Sequence, residues 1–594
     1  MNILGISCYF HDAAAALLQD GRLVAAAEEE RFSRKKHDYQ FPQRAIDFCL
    51  RLGGINSRDI DYVVFFEKPF IKFERLLLSS LQMFPRSHKV FRESMVAWLG
   101  DKLWIRNLIH QRLSVETSRI MFSEHHLSHA ASAFYCSPFH EAAVLTVDGV
   151  GEWTTASVGV GRGTELALHR EIRFPHSLGL LYSAFTAFLG FEVNEGEYKV
   201  MGMAPFGSPR YVDDVWKLIR QSSDGSFELD MTYFSFHCST EQTFSRKFIE
   251  LFGAPRDPTM NFFTVSSGYP PYFGDRPDNF AELARLNQHY ADIAASIQKV
   301  TEEVLLTLAR AANRDTGLTN LCMAGGVALN SVANGRILRE TPFRELYIHP
   351  AAGDSGGAVG AALWGYHAVL GKPRGFVMEH AAWGEAHTAN ASERFLKEHG
   401  IAYRRLEEDR LIDVVVDHLA AGRVVGWSQG RFEWGPRALG HRSILADPRR
   451  DDMKDIVNTK IKFREPFRPF APSVLAEHAE AYFDVANATA NYPARFMLCV
   501  VDVHGSKHAR IPAVTHVDGT GRLQTVRPDT NPRYYALIER FAQATGVPVL
   551  LNTSFNLRGE PIVNTPREAF ATFSKSGMDV LVLEDCLIEK ANGK

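Results

Sequence analysis

The sequence has few cysteines, and none of them falls in a motif that binds metal or forms a redox pair. Seven cysteines are scattered through 594 residues, and no two stand in a CxxC arrangement. An odd, dispersed set of this kind argues against a disulfide framework and against a zinc site made of thiolates. It is typical of a reducing compartment, so we expect the protein in the cytoplasm.

The sequence also lacks a strong net charge and a long apolar run. The formal net charge is -3, from 66 basic and 69 acidic residues, so no nucleic-acid or anionic-membrane partner is expected. No uncharged apolar stretch reaches the length of a membrane span. The apolar N-terminus has no basic region before it and is interrupted by "FHD", so it reads as strands and not as a signal peptide.

What the sequence does contain is the pattern of an α/β protein of more than one domain. "NILGIS" followed by "AAAALLQDGRLVAAAEE" predicts a strand and a hairpin that turns at Asp20-Gly21. The stretch "AAVLTVDGVGEWTTASVGVGRGTELALHREI" repeats this arrangement, which indicates an internal duplication. We interpret the two units, with the long helical pattern from Ala281 to Asp315, as a two-lobed α/β domain with a cleft between its lobes. A linker at "GKPRG" divides the chain into domains 1–370 and 376–594.

Histidines are concentrated in "FSEHHLSHAASAF", where His125 and His129 stand four residues apart. On a helix this spacing puts both imidazoles on one face, where they can bind one transition metal if a carboxylate completes the shell. Asp148 in "TVDGVG" and Asp354 in "AAGDSGG" both follow predicted strands and are candidates. The pattern predicts a metal site; the alternative is a pair of packed or solvated histidines, the reading we adopt for His126.

Glycine-rich turns precede two predicted helices, at Asp354 and at "AGGVALN" from Ala324 to Asn330. Backbone amides at a helix start can hold an anion, and Gly325 and Gly326 allow a ligand to approach the backbone. Together the turns predict a nucleotide in the cleft, with Asn330 at the end of the second turn. His11 closes the first strand and is either a general base or a capped turn residue.

The second domain is dense in arginine within loops rich in glycine and proline. Such loops position cations, and arginine forks suit phosphate. Ser554 and Asn556 in "LLNTSFN" could also bind an anion. We predict an anion site, against the alternative of structural ion pairs; its candidate cations are Arg437, Arg442, Lys462, Arg464, Arg468 and Arg522. The run "EEERFSRKKH", with Lys36, reads by composition alone as a solvated face.

Eleven long motifs in order resemble the O-carbamoyltransferases of the nodulation-protein and tobramycin type. They include "FHDAAAAL", "EHHLSHAASAF", "EGEYKVMGMAPFG", "GDSGGAVGAAL", "WGPRALGHRSILADPR", "KFREPFRPFAPSV" and "LNTSFNLRGEPIV", and they cover essentially the whole length. The resemblance implies a first domain of the threonylcarbamoyl-transferase type, in the actin/sugar-kinase superfamily. It implies a smaller second domain like threonylcarbamoyl-adenylate synthase (YrdC-like), whose K-x-R and S-x-N signatures match Lys462–Arg464 and Ser554–Asn556.

The resemblance also implies two reactions and a set of site residues. Carbamoyl phosphate and ATP, with Mg²⁺, give carbamoyl adenylate in the second domain, and the first domain moves the carbamoyl group to a small-molecule hydroxyl. A divalent metal, iron in the family, would be held by His125, His129 and Asp354, with Asp148 beside them. His11 and Asp230 match acid/base positions. Contacts to the nucleotide or to carbamoyl phosphate are implied for Lys36, Arg437, Lys462, Arg468, Arg522, Asn552 and Ser554. Arg464 and Asn556 are added as members of the two signatures, and Gly325, Gly326 and Asn330 as members of the glycine-rich turn.

The acceptor is not readable from the sequence. We expect its contacts from the segments Phe70 to Leu113 and Phe244 to Phe280, whose aromatic residues suit a ring-bearing molecule. Two other functions are open: modification of tRNA with threonylcarbamoyl-adenosine, and a nucleotide-dependent binding module without catalysis. The near-neutral charge argues against the first, and the arginine loops argue against the second. The family resemblance allows a homodimer.

Overall fold

The computed structural model describes residues 1–100 and 102–590 and divides into two compact units. The first comprises Met1–Glu29 and Tyr39–Val377; the second comprises Glu30–Asp38 and Met378–Lys594, whose last four residues lie outside the described part. The predicted boundary did not foresee that Glu30–Asp38, with helix α1 (Glu30–Ser33), belongs to the second unit. Arg31 Nη2 donates to the Gly435 carbonyl at 2.7 Å, a contact across 404 residues that no local pattern reveals.

The first unit contains two five-stranded sheets of the same design. Each begins with an antiparallel meander of three strands, and two further strands join its first strand in parallel, in the orders β3-β2-β1-β4-β5 and β8-β7-β6-β11-β12. This repetition confirms the predicted α/β class and internal duplication. The strands are β1 (Asn2–Ser7), β2 (Ala14–Gln19), β3 (Arg22–Glu28), β4 (Tyr62–Phe65), β5 (Ile120–Phe122), β6 (Glu141–Val147), β7 (Thr154–Arg162), β8 (Glu165–Arg173), the separate hairpin β9 (Ile219–Gln221) and β10 (Phe227–Leu229), β11 (Asn320–Ala324) and β12 (Glu345–Ile348).

The first hairpin turns where the sequence predicts. Asp20 and Gly21 have φ angles of 48° and 78°, the left-handed pair of a tight two-residue turn whose twist matches that of the strands. β1 and β2 are almost wholly buried, whereas β8 alternates between exposed and half-buried residues because it is the edge strand of its sheet.

Helices surround both sheets, and the longest, α11, confirms the predicted Ala281–Asp315 helix within one residue at each end. The helices of this unit are α2 (Gln43–Gly53), α3 (Pro69–Gln82), α4 (His88–Gly100), α5 (Ile105–Leu113), α6 (His125–Cys136), α7 (Leu178–Phe188), α8 (Glu197–Met203), α9 (Val212–Trp216), α10 (Arg246–Phe252), α11 (Phe280–Thr316), α12 (Ser331–Glu340) and α13 (Gly356–Trp364). In the described residues, no helix is both long and apolar enough to cross a membrane.

The small residues of α13 let it pack closely against α6 and β1. A Cβ on Gly360 would lie 1.8 Å from the Ser128 carbonyl oxygen of α6, and one on Gly5 of β1 would lie 1.8 Å from the Ala358 carbonyl oxygen of α13. Glycine at these two positions therefore lets α13 approach both α6 and β1 closely. This contact brings the start of α6 and the start of α13 together.

The second unit is built on a mixed eight-stranded sheet in the order β14-β24-β23-β15-β17-β22-β18-β21, with an apolar cluster on either face. Its strands are β13 (Ala382–Ala386), β14 (Arg404–Arg405), β15 (Val425–Ser428), β16 (Arg431–Glu433), β17 (Arg442–Ala446), β18 (Ala471–Leu475), β19 (Val500–Asp502), β20 (Thr520–Arg522), β21 (Gln524–Val526), β22 (Val549–Ser554), β23 (Val580–Leu583) and β24 (Cys586–Glu589). Its further helices are α14 (Ala389–Glu398), α15 (Glu408–Ala420), α16 (Met453–Ile456), α17 (Tyr492–Arg495), α18 (Pro532–Thr545) and α19 (Pro566–Lys575), and a π-helical turn spans Val457–Lys462.

Candidate functional site

Two histidines and two aspartates meet in the first unit, and we call them the histidine–aspartate cluster: His125, His129, Asp148 and Asp354. His125 and His129 lie on the first two turns of α6, Asp148 follows β6, and Asp354 precedes α13. His125 Nε2 lies 3.1 Å from Asp148 Oδ2 and 3.1 Å from His129 Nε2. Asp354 Oδ1 lies 3.5 Å from His125 Nε2 and 3.6 Å from His129 Nε2. One ligand atom from each residue falls within 4.8 Å of all the others.

The cluster is buried, and its charges are strongly coupled to one another. Burial opposes the charge of His125, yet its contacts with Asp148 and Glu67 raise its pKa to about 10. Burial likewise opposes ionisation of Asp148, and the hydrogen bonds from both histidines bring its pKa well below the ordinary value. Two buried carboxylates therefore require positive charge between them.

The donor set fits a divalent transition metal. Two imidazoles and two carboxylates are ligands that such ions accept. Asp354 Oδ2 is buried and, within the described residues, accepts no hydrogen bond, so it has an oxygen available. His126, by contrast, is bonded to Thr146 Oγ1 through Nδ1 at 2.7 Å, in keeping with its predicted packing role.

Three charged residues near the cluster, Glu67, Lys72 and Glu152, were not predicted from the sequence. Glu152 accepts the backbone N–H of His125 at 3.0 Å and so fixes the start of α6. Glu67 Oε2 lies 3.7 Å from His125 Nδ1 and pairs with Lys72 Nζ at 2.5 Å, both side chains being buried. The only available signal was a charged pair, Glu67-Lys68, directly after the apolar strand "YVVFF".

The glycine-rich turn "AGGVALN" supports the cluster from its backbone. Gly326 N–H donates to Asp148 Oδ1 at 2.7 Å, and Gly325 has a φ of 94° in a position where a Cβ would lie 2.2 Å from the Val147 carbonyl oxygen. Asn330 caps α12 through Ala333 N–H and exchanges side-chain hydrogen bonds with Gln298. Nucleotide binding by these three residues stays a prediction.

The two candidate acid/base residues have different surroundings. His11 is half-buried against the ring of Phe10, at a centroid distance of 4.0 Å. His11 lies near the histidine–aspartate cluster, because its charge contributes to the pKa of Asp354. Burial raises that pKa, but the contact with His129 and the charges of His125 and His11 bring it below the ordinary value.

Asp230 caps a short turn. It accepts from Thr232 N–H and Thr232 Oγ1 at 3.0 and 2.7 Å, and Lys247 Nζ lies 3.4 Å away. Its side chain is 38% exposed. These contacts explain the residue locally, and the acid/base role stays a prediction.

In the second unit, the K-x-R and S-x-N segments meet at Lys462. Its Nζ donates to Ser554 Oγ at 3.2 Å and to Asn556 Oδ1 at 2.7 Å, and also to the carbonyl oxygens of both residues. All four acceptors are uncharged. Burial, followed by the charges of Arg464 and Arg468, lowers the pKa of Lys462 well below its ordinary value.

Lys462 belongs to a group that we call the cationic cluster: Lys36, Arg437, Lys462, Arg468 and Arg522. Burial, followed by the charges of Arg437 and Arg468, lowers the pKa of Arg522 well below the ordinary value. Within residues 1–100 and 102–590, no carboxylate pairs with Arg522, and its Nε is buried without a hydrogen bond. Lys36 adds to the repulsion felt by Lys462, which places it beside the K-x-R segment.

The remaining predicted residues of the second unit make internal contacts. Arg464 Nε donates to Asn458 Oδ1 at 2.7 Å, and Asn552 Nδ2 donates to Gln524 Oε1 at 2.9 Å. Arg442 is buried, and its guanidinium donates to backbone carbonyls, among them Gln429 O at 2.7 Å. These contacts fit the alternative interpretation, in which Arg442 holds the fold together and does not bind an anion.

Repulsion within the cationic cluster, where the charges of Arg437 and Arg468 act on Arg522, predicts that anions stabilise the second unit. We expect pyrophosphate to raise the unfolding temperature of the wild-type chain, because only the folded state presents the cationic cluster; at about 100 times Kd the gain is about 2.7 kcal/mol. Calorimetry at constant ionic strength measures it. Arg404→Ala, an exposed arginine paired with Glu589, should keep the response, and Arg522→Ala should lose most of it. An undiminished response in Arg522→Ala would contradict the assignment.

Comparison with known proteins assigns the whole chain to one family. A carbamoyltransferase N-terminus family model matches residues 2–363, and a carbamoyltransferase C-terminus model matches residues 416–590. An uncharacterised protein of Synechocystis sp. is 47% identical over 99% of this chain and 97% of its own length. The nodulation protein NolNO of Sinorhizobium fredii is 37% identical over 98% of this chain and 79% of its own length.

A third relative carries a named activity. The 3'-hydroxymethylcephem-O-carbamoyltransferase of Amycolatopsis lactamdurans is 33% identical over 55% of this chain and 59% of its own length. The two family matches span both structural units and include every residue of the histidine–aspartate cluster, as well as Arg437, Lys462, Arg468 and Arg522. The chain therefore belongs to the carbamoyltransferase family and is an enzyme of the transferase class.

Proposed function

We propose that this protein is an O-carbamoyltransferase that activates the carbamoyl group of carbamoyl phosphate with ATP and transfers it to a hydroxyl of a small molecule. The observation that carries the proposal is the occurrence, in one chain, of five cationic side chains gathered around Lys462 and Arg522 and of a buried histidine–aspartate cluster. The first suits polyphosphate substrates, and the second suits an acyl-type transfer assisted by a metal ion.

Activation is assigned to the second unit. Water releases phosphate from carbamoyl phosphate and leaves carbamate; a carbamate oxygen then attacks the α-phosphorus of ATP, and the bond from that phosphorus to the bridging oxygen of pyrophosphate breaks. Carbamoyl adenylate and pyrophosphate result. Arg437, Arg468 and Arg522 would hold the anionic groups, and Lys36 and Lys462 would offset the charge that develops. Support comes from the contact of Lys462 with Ser554 and Asn556.

Transfer is assigned to the first unit. An acceptor hydroxyl oxygen attacks the carbamoyl carbon, the bond to the adenylate oxygen breaks, and AMP leaves. His11 would take the hydroxyl proton, since it is near Asp354 and half-buried. His125, His129, Asp148 and Asp354 would hold a divalent metal, with Fe²⁺ as the first ion to test. When bound, such an ion supplies Lewis-acid polarisation and neutralises charge on the leaving group.

The fold supports this division of labour. Two sheets of equal topology support the actin/sugar-kinase-like reading of the first unit. The first leads from β5 into α6 with His125 and His129, and the second carries Asp148 after β6 and Asp354 after β12. The meeting of the K-x-R and S-x-N segments supports the threonylcarbamoyl-adenylate-synthase-like reading of the second.

The acceptor is proposed to be an alcohol on a small apolar or ring-bearing molecule. One relative is named for carbamoylation of a hydroxymethylcephem. In this chain the segment Phe70 to Leu113 carries Phe70, Phe84, Val96 and Leu99, each more than half exposed. Exposed apolar side chains in such number are typical of a surface that meets a ligand or another protein.

The test of the proposal is pyrophosphate release from ATP, which we expect only when carbamoyl phosphate is present. Mass spectrometry of an alcohol panel then detects the carbamoylated acceptor. A requirement for carbamoyl phosphate, and not for threonine and bicarbonate, distinguishes this activity from tRNA modification. An enzyme that modifies tRNA would instead produce threonylcarbamoyl-adenosine in added tRNA. Absence of pyrophosphate under all conditions would leave a binding module and contradict the proposal.

A further inference from the structure

A buried ion pair lies against the ring nitrogen of His125 that does not face the histidine–aspartate cluster. Glu67 Oε2 lies 2.5 Å from Lys72 Nζ and 3.7 Å from His125 Nδ1. The side chains of Glu67 and Lys72 are 4% and 2% exposed. Such a pair is costly to bury and contributes little net stability, so its presence calls for another role.

Packing holds this pair in place. Glu67 follows β4, and Lys72 lies in the first turn of α3, so a short stretch of chain presents both groups to His125. Lys72 Nζ lies 3.6 Å from the centre of the Phe10 ring, and the Phe66 ring lies 5.3 Å from that of His125. These aromatic walls keep water away and strengthen the electrostatic interactions inside.

We propose that Glu67 is a positioning residue that prepares His125 to bind the metal ion. At 3.7 Å the contact is longer than a hydrogen bond, but a carboxylate facing Nδ1 in a dry site favours the tautomer with its proton on that nitrogen. The lone pair of Nε2 then points at Asp148 and His129. A carboxylate behind a histidine ligand also raises the basicity of the imidazole. The hydrogen bond from Lys72 Nζ holds the Glu67 carboxylate in this position.

The buried Nδ1 atoms of His125 and His129 both lack a hydrogen bond within residues 1–100 and 102–590. Only that of His125 faces a carboxylate there, since the carboxylate contacts of His129 are made through Nε2. We therefore infer that Glu67 acts on metal affinity through His125 alone. The inference rests on the metal-binding part of the proposed function and is independent of the carbamoyl chemistry.

The test is titration of the purified, metal-stripped 594-residue chain with Co²⁺, followed by the visible absorption of the bound ion. Glu67→Gln keeps the shape of the side chain and removes its charge, and it should weaken Co²⁺ binding about 10- to 100-fold and shift the absorption bands. Asp292→Asn is the matched control: Asp292 is a buried carboxylate of α11 that accepts from Ser208 N–H and Gln288 Nε2. It should bind Co²⁺ as the wild type does.

Each outcome decides the inference. Wild-type affinity in a folded Glu67→Gln variant would overturn it and leave the metal site standing, whereas absence of Co²⁺ binding in the wild type would overturn both. If Glu67→Gln does not fold, Glu67→Asp takes its place: it keeps the charge but withdraws the carboxylate from His125, so a smaller loss of affinity is expected. Unchanged affinity there, with circular dichroism like the wild type, would also overturn the inference.

Discussion

Replacing His129 by alanine is expected to abolish carbamoyl transfer while leaving pyrophosphate release close to the wild-type level. His129 Nε2 lies 3.1 Å from His125 Nε2 and 3.6 Å from Asp354 Oδ1, so its loss opens the histidine–aspartate cluster. Lewis-acid assistance is worth several kcal/mol, which corresponds to a loss of about 1,000-fold or more in the transfer rate. Activation is assigned to residues of the second unit, and His129 belongs to the first.

Two assays on one preparation measure this split: pyrophosphate release, and carbamoylated acceptor by mass spectrometry. His169→Ala serves as the control, since His169 is an exposed residue of the edge strand β8 and belongs to neither cluster. Both activities should persist in that variant. Loss of both activities in a folded His129→Ala protein would show that the two steps do not divide between the clusters as proposed.

Arg522→Ala is expected to have the opposite effect, removing formation of carbamoyl adenylate. Arg522 has no carboxylate partner in the described part of the chain and shares its surroundings with Arg437 and Arg468, so its charge is free for a phosphate group. Removal of one preorganised donor to a developing anion costs about 100- to 1,000-fold in rate. Pyrophosphate release should fall by that factor, and transfer should fall with it.

A bypass experiment separates this effect from a general loss of structure. Arg522→Ala supplied with freshly made carbamoyl adenylate should still carbamoylate the acceptor, because the histidine–aspartate cluster is untouched. Arg450→Ala is the matched control, as Arg450 is an exposed arginine paired with Asp452. A folded Arg522→Ala variant that releases pyrophosphate normally would remove Arg522 from the site.

Much of the first unit could be predicted from local patterns. Hairpins with a glycine turn and a helix of regular periodicity depend on neighbouring residues, and all of these were confirmed. The spacing of His125 and His129 fixes their shared face for the same reason. The topology of the second sheet then brings Asp148 and Asp354 to that face, because they follow β6 and β12, which both pair in parallel with β11.

What escaped prediction depends on tertiary packing. The segment Glu30–Asp38 joins the second unit through hydrogen bonds such as Arg34 Nη1 to the Ile562 carbonyl, 528 residues away. Composition alone marked this run as a solvated face, and only the family resemblance gave Lys36 a role. Glu67 and Lys72 were not predicted, because the charged pair Glu67-Lys68 after a strand carries no motif and Lys72 lies in the next helix.

The resemblance to a family supplied residues that geometry does not single out. Asp230 caps a turn and Arg464 holds Asn458, so each has a local explanation in the structure. Lys462 differs, since a buried ammonium group that donates to neutral oxygens beside two arginines has no local explanation. A residue such as Lys462, whose contacts have no local explanation, is therefore a stronger candidate for the site than Asp230 or Arg464.

The central claim is that a carbamoyl group is activated at the cationic cluster and transferred to the acceptor at the histidine–aspartate cluster. The most direct measurement is rapid quenching of the enzyme with ATP, Mg²⁺ and carbamoyl phosphate, followed by mass spectrometry for carbamoyl adenylate. The intermediate should accumulate in His129→Ala and be absent in Arg522→Ala. Carbamoylated acceptor formed without any ATP-derived adenylate in either the wild type or His129→Ala would contradict the account.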